Sequence, residues 1–134
     1  MSEDLLAEHI VVDGMNVIGS RPDGWWRDRD GAVRRLLAKL QRLAAATGDE
    51  VTLVLDGRPS PDLAEGHHDS VQVVYARRAG RDAGDDRLVE FVAGLPEPAR
   101  VRVITSDRTL ATRVRGLGAT VAGSGRFLER LDSY

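Results

Sequence analysis

The stretch HIVVDGMNVIG, residues 9–19, indicates the fold class of this 134-residue chain. Its apolar run at residues 9–12 stops at Asp13 and Gly14, as a buried strand does when it ends in a turn. Similar runs recur along the chain: VTLVL at residues 51–55, VQVVY at 71–75, VRVIT at 101–105 and a shorter run at 119–122. Strands that are apolar throughout are typical of a parallel sheet covered on both faces.

Helical patterns separate these strands. Residues 31–47 repeat apolar side chains at helical spacing and are followed by Gly48, a common helix terminator. Further helices are predicted from residue 85 to about 93, after Asp107 to about 115, and over 126–131, whereas residues 58–70 are predicted to form a loop. The alternation predicts a single α/β domain over residues 1–134, a three-layer α/β/α sandwich with a mostly parallel sheet of about five strands.

Composition excludes several classes of protein. Hydrophobic residues make up 42% of the chain and charged residues 30%, a balance typical of globular domains rather than disordered segments. The lack of cysteine excludes disulfide frameworks, thiolate zinc sites and cysteine nucleophiles. No apolar run is long enough to cross a bilayer, and the acidic start MSEDLLAEH lacks the features of a signal peptide. We therefore expect a cytoplasmic protein with no membrane partner.

Charge is distributed unevenly along a chain whose formal net charge is −2. Residues 21–42 carry seven basic and three acidic side chains, and residues 100–115 carry five Arg and one Asp. Arginine binds phosphate and stacks on bases, although an Arg-rich codon usage explains its abundance equally well. The negative total argues against a passive nucleic-acid coat protein. Only the clustering of the cations points to a nucleic-acid partner.

Aspartates follow three of the four main strands, at Asp13, Asp56 and Asp107, and Asp85 or Asp86 begins the helix after the third strand. The carboxyl ends of parallel strands meet at one edge of a sheet, where ligands bind. Crowded carboxylates repel one another unless a cation lies between them. Oxygen ligands favour Mg²⁺ or Mn²⁺, and such an ion can polarise a phosphodiester and activate water. The pattern therefore predicts a metal site at this edge.

Helical periodicity distinguishes the two acids of this helix. Asp85 shares the core-facing stripe with Leu88 and Val92, whereas Asp86 lies on the outer side. We therefore assign Asp85 to the metal site and Asp86 to a supporting role. Each of the strand-end aspartates taken alone is also explained as a turn residue or a helix cap. Their equivalent positions in the topology favour the functional interpretation.

Other phosphate chemistries do not fit the chain. The motif GxxxxGK[ST] is missing and no GxGxxG follows the first strand, which excludes P-loop and dinucleotide-binding sites. A receiver-like phosphotransfer domain needs adjacent acids after the first strand and an active-site lysine, but Asp13 precedes Gly14 and Lys39 is the only lysine. Haloacid-dehalogenase-type phosphatases need DxD where this chain has DGM.

Four ordered motifs resemble those of the NYN family of PIN-like nucleases, specifically its small bacterial YacP-type branch. They are VVDGMNVIG at residues 11–19, VLDG at 54–57, GDDRLVEF at 84–91 and VITSD at 103–107. The resemblance implies a PIN-like fold and metal-dependent endonucleolytic cleavage of RNA with water as the nucleophile. It also implies that Asp13, Asp56, Asp85 and Asp107 form a catalytic site that binds Mg²⁺ or Mn²⁺.

The same resemblance gives two neighbouring residues supporting roles. Asn16 would orient the first loop or assist phosphate or metal binding through its amide. Ser106 would lie beside the metal, its hydroxyl serving as a donor or simply as a helix cap. The chain departs from the family pattern at Met15, where an aromatic side chain is usual, and at Gly84, where alanine is commoner. Neither change removes a carboxylate.

Aromatic and basic side chains indicate where RNA would bind. Trp25, Trp26 and Arg27 lie in a polar segment, where aromatics between cations suit stacking on unpaired bases. The alternative is that one or both tryptophans cover the core. The cations that we expect to hold backbone phosphates are Arg77, Arg78, Arg81 and Arg108; solvated surface charge is the alternative for them.

The sequence thus favours a metal-dependent endoribonuclease that hydrolyses RNA phosphodiester bonds. The second hypothesis is a non-catalytic RNA-binding PIN-like module whose acids are relics or helix caps. In both hypotheses the partner is RNA, and both are compatible with an oligomer.

Overall fold

The computed structural model describes residues 8–57, 59–77, 79–80 and 82–134. The strands in these residues are β1 (His9–Asp13), β2 (Glu50–Leu55), β3 (Gly66–His68), β4 (Val71–Tyr75), β5 (Val101–Ile104) and β6 (Thr120–Ala122). The α-helices are α1 (Gly14–Gly19), α2 (Arg29–Thr47), α3 (Ala83–Ala93), α4 (Arg108–Gly116) and α5 (Ser124–Leu131). Short 3₁₀ turns occupy Trp25–Arg27 and Pro98–Arg100.

The strands of the described residues form one six-stranded sheet in the order β3-β4-β2-β1-β5-β6. Every neighbouring pair is parallel except β3 and β4, which run antiparallel. The mostly parallel α/β sheet is therefore confirmed. The chain runs from β1 outward to β4 on one side and then returns to β5 on the other side of β1. The crevice beyond the end of β1 is thus a topological switch point, where ligands of such sheets bind.

The strand that the sequence did not predict is β3, which lies within the segment assigned to a loop. Gly66 of β3 pairs with Val73, and His68 pairs with Val71. Three residues that contain glycine and two histidines show no apolar strand pattern, because an edge strand has only one neighbour and is partly open to solvent. Its formation depends on β4, which offers it an unpaired edge.

Helices cover both faces of the sheet. On one face, α1, α2 and α5 pack against a core that includes Ile10 and Leu53. On the other, α3 and α4 pack against Val11 and Val103. Adjacent residues of β1 thus face opposite layers, which explains why that strand is apolar throughout. Within the part of the chain that the structure describes, no helix combines the length and apolarity needed to cross a membrane.

The predicted turn after Asp13 is instead the start of α1. A Cβ on Gly14 would lie 2.7 Å from Leu55 Cδ2 and 2.8 Å from the Val54 carbonyl oxygen. Because real contacts of a Cβ are longer than this, only glycine lets α1 begin so close to the end of β2. The consequence for the site is that the ends of β1 and β2 lie side by side.

Candidate functional site

Asp13 ends β1 at the switch point, and its side chain is largely shielded from solvent. The pKa of this carboxyl is raised from 3.8 to about 6, chiefly by burial and to a smaller extent by the neighbouring charges of Asp85 and Asp107. Hydrogen bonds from the Thr105 hydroxyl and the Asn16 backbone act in the opposite direction. The ionised form of Asp13 is therefore disfavoured by its surroundings, and a nearby cation would stabilise it.

Thr105 links the ends of β1 and β5. Its hydroxyl donates to Oδ2 of Asp13 at 2.8 Å and accepts the backbone N–H of Asp107 at 3.1 Å. Only 2% of this residue is exposed, so the hydroxyl is committed to these two partners. Thr105 lies within the VITSD motif, but no role was predicted for it from the sequence; the only signal for one is that it follows β5, whose Ile104 pairs with Val12 of β1.

Four aspartates line a small open pocket at the same edge of the sheet. The pocket has a volume of about 120 Å³ and is lined by Asp13, Asp56, Asp82 and Asp85, with Met15, Val54 and Gly84 completing its wall. Burial raises the pKa of Asp85, and the charges of Asp107, Asp82 and Asp86 add to this effect, whereas Arg113 lowers the pKa. We call this the acidic pocket.

Asp85 and Asp86 have different surroundings. Asp85 lines the acidic pocket, whereas Asp86 forms an ion pair with Arg113 of α4 at 3.0 Å. Asp82 was not predicted as part of the site. It precedes α3 with a left-handed φ of 63°, a conformation in which Asp is among the better-tolerated residues.

Two of the predicted ligands have protein partners of their own. The Asp56 carboxylate forms an ion pair with Arg29 of α2. Asp107 caps α4, because its Oδ1 accepts the backbone N–H of Leu110 at 3.0 Å. Asp107 does not line the acidic pocket, although its charge acts on both Asp13 and Asp85.

The donor set suits a cation that needs few protein ligands. Among the described residues, no three acidic, histidine or cysteine side chains lie close enough together to bind one metal ion. Mg²⁺, however, commonly keeps several waters and is held by one or two carboxylates. Asp13 and Asp85 meet this requirement, because they line one pocket and the charge of Asp85 contributes to the raised pKa of Asp13.

The amide of Asn16 is fixed by α5 and the turn after β5. Its Oδ1 accepts the backbone N–H of Ser106 at 2.8 Å and the hydroxyl of Ser124 at 2.7 Å. A backbone N–H can only donate, so this atom must be the amide oxygen. The Ser106 hydroxyl accepts the backbone N–H of Ser124 at 3.0 Å, which ties the three residues together. With its oxygen occupied, Asn16 has only its NH₂ group left to offer a ligand.

The tryptophans differ in exposure. Trp25 is partly buried and packs against the core, so the covering role that was the alternative applies to it. Trp26 is 56% exposed, and the guanidinium of Arg27 lies 5.9 Å from its ring. Neither tryptophan lines the acidic pocket. Trp26 and Arg27 are thus the members of this group that are available to a base.

The structure describes two of the four arginines that were predicted to bind backbone phosphates. Arg77 forms an ion pair with Glu90 at 2.9 Å. Arg108 is the exposed first residue of α4, directly after Asp107. Arg78 and Arg81 lie outside the described residues.

Comparison with known proteins supports the family resemblance. The family model of the YacP-like NYN domain matches residues 10–134. Two crystal structures of Rae1 (YacP) from Bacillus subtilis, one of them a point mutant, share the fold. The mutant superposes with a TM-score of 0.76 at 24% identity, covering 94% of this chain and 76% of that one. The other gives a TM-score of 0.75 at 24% identity, covering 94% and 74%. Comparison with curated proteins found no significant match.

Proposed function

The chain belongs to the YacP-like NYN domain family of PIN-like nucleases, and on that premise we propose that it is a metal-dependent endoribonuclease. The proposed reaction is hydrolysis of an RNA phosphodiester bond, with Mg²⁺ or Mn²⁺ as the cofactor. The observation that carries the proposal is the shielded Asp13 carboxyl, whose pKa is raised to about 6 in a pocket that it shares with Asp85.

Asp13 and Asp85 are the residues that would hold the cation, and Asp56 and Asp82 lie in the same pocket. A bound divalent ion supplies Lewis-acid polarisation of the phosphodiester and makes a bound water easier to deprotonate. Thr105 orients the carboxylate of Asp13, which lines the pocket, by its hydrogen bond. Asp107 adds negative charge near the site without lining the pocket, which strengthens the attraction of a cation.

Asn16 is suited to hold the phosphate rather than the metal. Both hydrogen bonds to its Oδ1 come from the protein, which leaves the NH₂ group to donate to a phosphate oxygen. Of the ligand-binding roles that the family resemblance allowed for Asn16, this choice keeps phosphate binding and drops metal binding. Trp26 and Arg27 extend the binding surface for single-stranded RNA by base stacking and charge.

A second function, a non-catalytic RNA-binding module, is favoured by one observation. Asp56 and Asp107 each have a partner within the protein, as helix caps and ion-paired acids do in proteins without a metal. In this case Asp13 and Asp85 would be relics of an ancestral site. RNA binding without cleavage distinguishes this function from the nuclease.

The test is cleavage of a labelled single-stranded RNA by the purified chain with Mg²⁺, with Mn²⁺ and with excess chelator. The proposal predicts metal-dependent cleavage that Asp13→Asn and Asp85→Asn each reduce at least about a hundredfold. Asp69→Asn is the matched control, because Asp69 lies in an exposed turn with a φ of 55° that asparagine also adopts. Undiminished cleavage in chelator, or in both site variants, would contradict the proposal.

A further inference from the structure

Asp56 is held by a cation that no sequence motif identifies. Arg29, the first residue of α2, donates from Nη2 to the Asp56 carboxylate and, at 3.2 Å, to the Asp56 carbonyl oxygen. The guanidinium packs beside Gly57, where a Cβ would lie in ordinary van der Waals contact with Nη2, at 3.5 Å. The backbone of Gly57 has a φ of +82°, which other residues rarely adopt. Arg29 therefore contacts both residues that follow β2.

Asp56 can nevertheless exchange Arg29 for another cation at little cost. The Arg29 and Asp56 side chains are 48% and 47% exposed. Pairs as exposed as this contribute little to stability, because water and salt screen the attraction. A divalent cation attracts a carboxylate more strongly than a solvated guanidinium does. Asp56 can therefore leave Arg29 when a better partner enters the pocket.

Asp56 stands between two pockets. On one side is the acidic pocket, which it lines together with Asp85. On the other is a second pocket of about 110 Å³, which Asp56 lines together with Arg29, Leu55 and Tyr75. We call this the arginine pocket. A phosphodiester chain whose scissile group lies at the acidic pocket can continue past Asp56 into the arginine pocket.

We propose that Arg29 is a substrate-binding residue that neutralises Asp56 in the metal-free protein and binds an RNA backbone phosphate once Asp56 turns to the metal. The inference rests on the proposed function and adds to it the group that contacts the neighbouring phosphate. The Asp56 carboxylate cannot neutralise both the metal ion and Arg29. Metal binding therefore leaves the Arg29 guanidinium without a full countercharge. A phosphate supplies that charge and accepts two hydrogen bonds from the planar guanidinium.

The test compares Arg29→Met with Arg42→Met in two measurements, Mn²⁺ affinity without RNA and the KM for RNA cleavage. Arg42 is an exposed residue of the same helix that lines neither pocket, and its loss changes the total charge equally. We expect Arg29→Met to bind Mn²⁺ about three- to tenfold more tightly, since a competing cation is gone, and to raise the RNA KM at least about tenfold. Arg42→Met should leave Mn²⁺ affinity within about twofold of the wild type.

The opposite directions of the two effects separate this role from a merely structural one. A general loss of structure would weaken Mn²⁺ binding and cleavage together, and that result would overturn the inference. An unchanged KM in Arg29→Met, with the wild type active, would overturn the inference while leaving the proposed function intact. A wild type that neither binds Mn²⁺ nor cleaves RNA would overturn both.

Discussion

The hydroxyl of Thr105 lies 2.8 Å from Oδ2 of Asp13 and is the side-chain donor that holds this carboxylate at the switch point of the sheet. The bond favours the ionised carboxylate and so opposes the effect of burial on its pKa. Metal binding requires the ionised form. Thr105 therefore helps to keep Asp13 competent for a cation near neutral pH.

We expect Thr105→Val to raise the pKa of Asp13 above its wild-type value of about 6. Valine has nearly the same shape as threonine but donates no hydrogen bond, so the ionised carboxylate loses a stabilising partner. The measurement is a carboxyl-carbon NMR titration of the metal-free protein. Thr112→Val, on the exposed face of α4, is the control and should not move the titration midpoint. A midpoint that stays the same or falls in Thr105→Val would show that the bond has no such effect.

Asp13→Asn should stabilise the metal-free fold above pH 6. The folded-state pKa of about 6 lies above the ordinary value of 3.8, so the folded protein binds the proton more tightly than the unfolded chain does. The wild type therefore loses stability as the pH rises from about 4 to 6, and the variant does not. We expect a gain of about 1–3 kcal/mol in the free energy of unfolding at pH 8 and none at pH 3. Urea unfolding in chelator measures it, and a variant less stable than wild type at pH 8 would refute this assignment.

Asn16→Asp separates phosphate binding from metal binding. The carboxylate can still accept from Ser106 and Ser124, but it has no NH₂ group and adds a negative charge. We expect Mn²⁺ affinity to be kept or increased and the RNA KM to rise at least about tenfold. Ser124→Ala, which only frees the amide to rotate, should raise the KM less. A normal KM in Asn16→Asp would mean that the NH₂ group does not contact the phosphate.

Gly14→Ala should destabilise the protein and displace Asp13. The added methyl would lie 2.8 Å from the Val54 carbonyl oxygen, and rigid backbone there cannot move aside. Overpacking of this kind costs about 1–3 kcal/mol. Gly125→Ala is the matched control: its Cβ would meet nothing within 4 Å, and alanine favours helix α5. Thermal unfolding compares the two, and equal melting temperatures would show that α1 can move away from β2.

Local patterns were sufficient to predict the strands that are buried on both faces and the aspartates that follow them. The strands β1, β2, β4 and β5 can be recognised from their own apolar runs, without knowing which strands they pair with. In contrast, β3 forms only because β4 offers an edge, and its own residues carry no strand pattern.

The contacts that orient or neutralise the aspartates of the site could not be predicted, because they join residues distant in sequence. Thr105 reaches Asp13 from the neighbouring strand, and Arg29 reaches Asp56 from the start of α2. Asp82 joins the acidic pocket only through the left-handed backbone that precedes α3. Such contacts depend on strand order and helix placement, which no short motif encodes.

The position of a bound divalent ion tests the assignment of the acidic pocket most directly. We propose soaking crystals of the protein with Mn²⁺ and locating the ion by its anomalous scattering. The structure predicts an anomalous peak in contact with carboxylate oxygens of Asp13 and Asp85, which is lost in Asp85→Asn crystals. An ion bound away from both residues, or no ion at millimolar Mn²⁺, would contradict the metal-dependent nuclease.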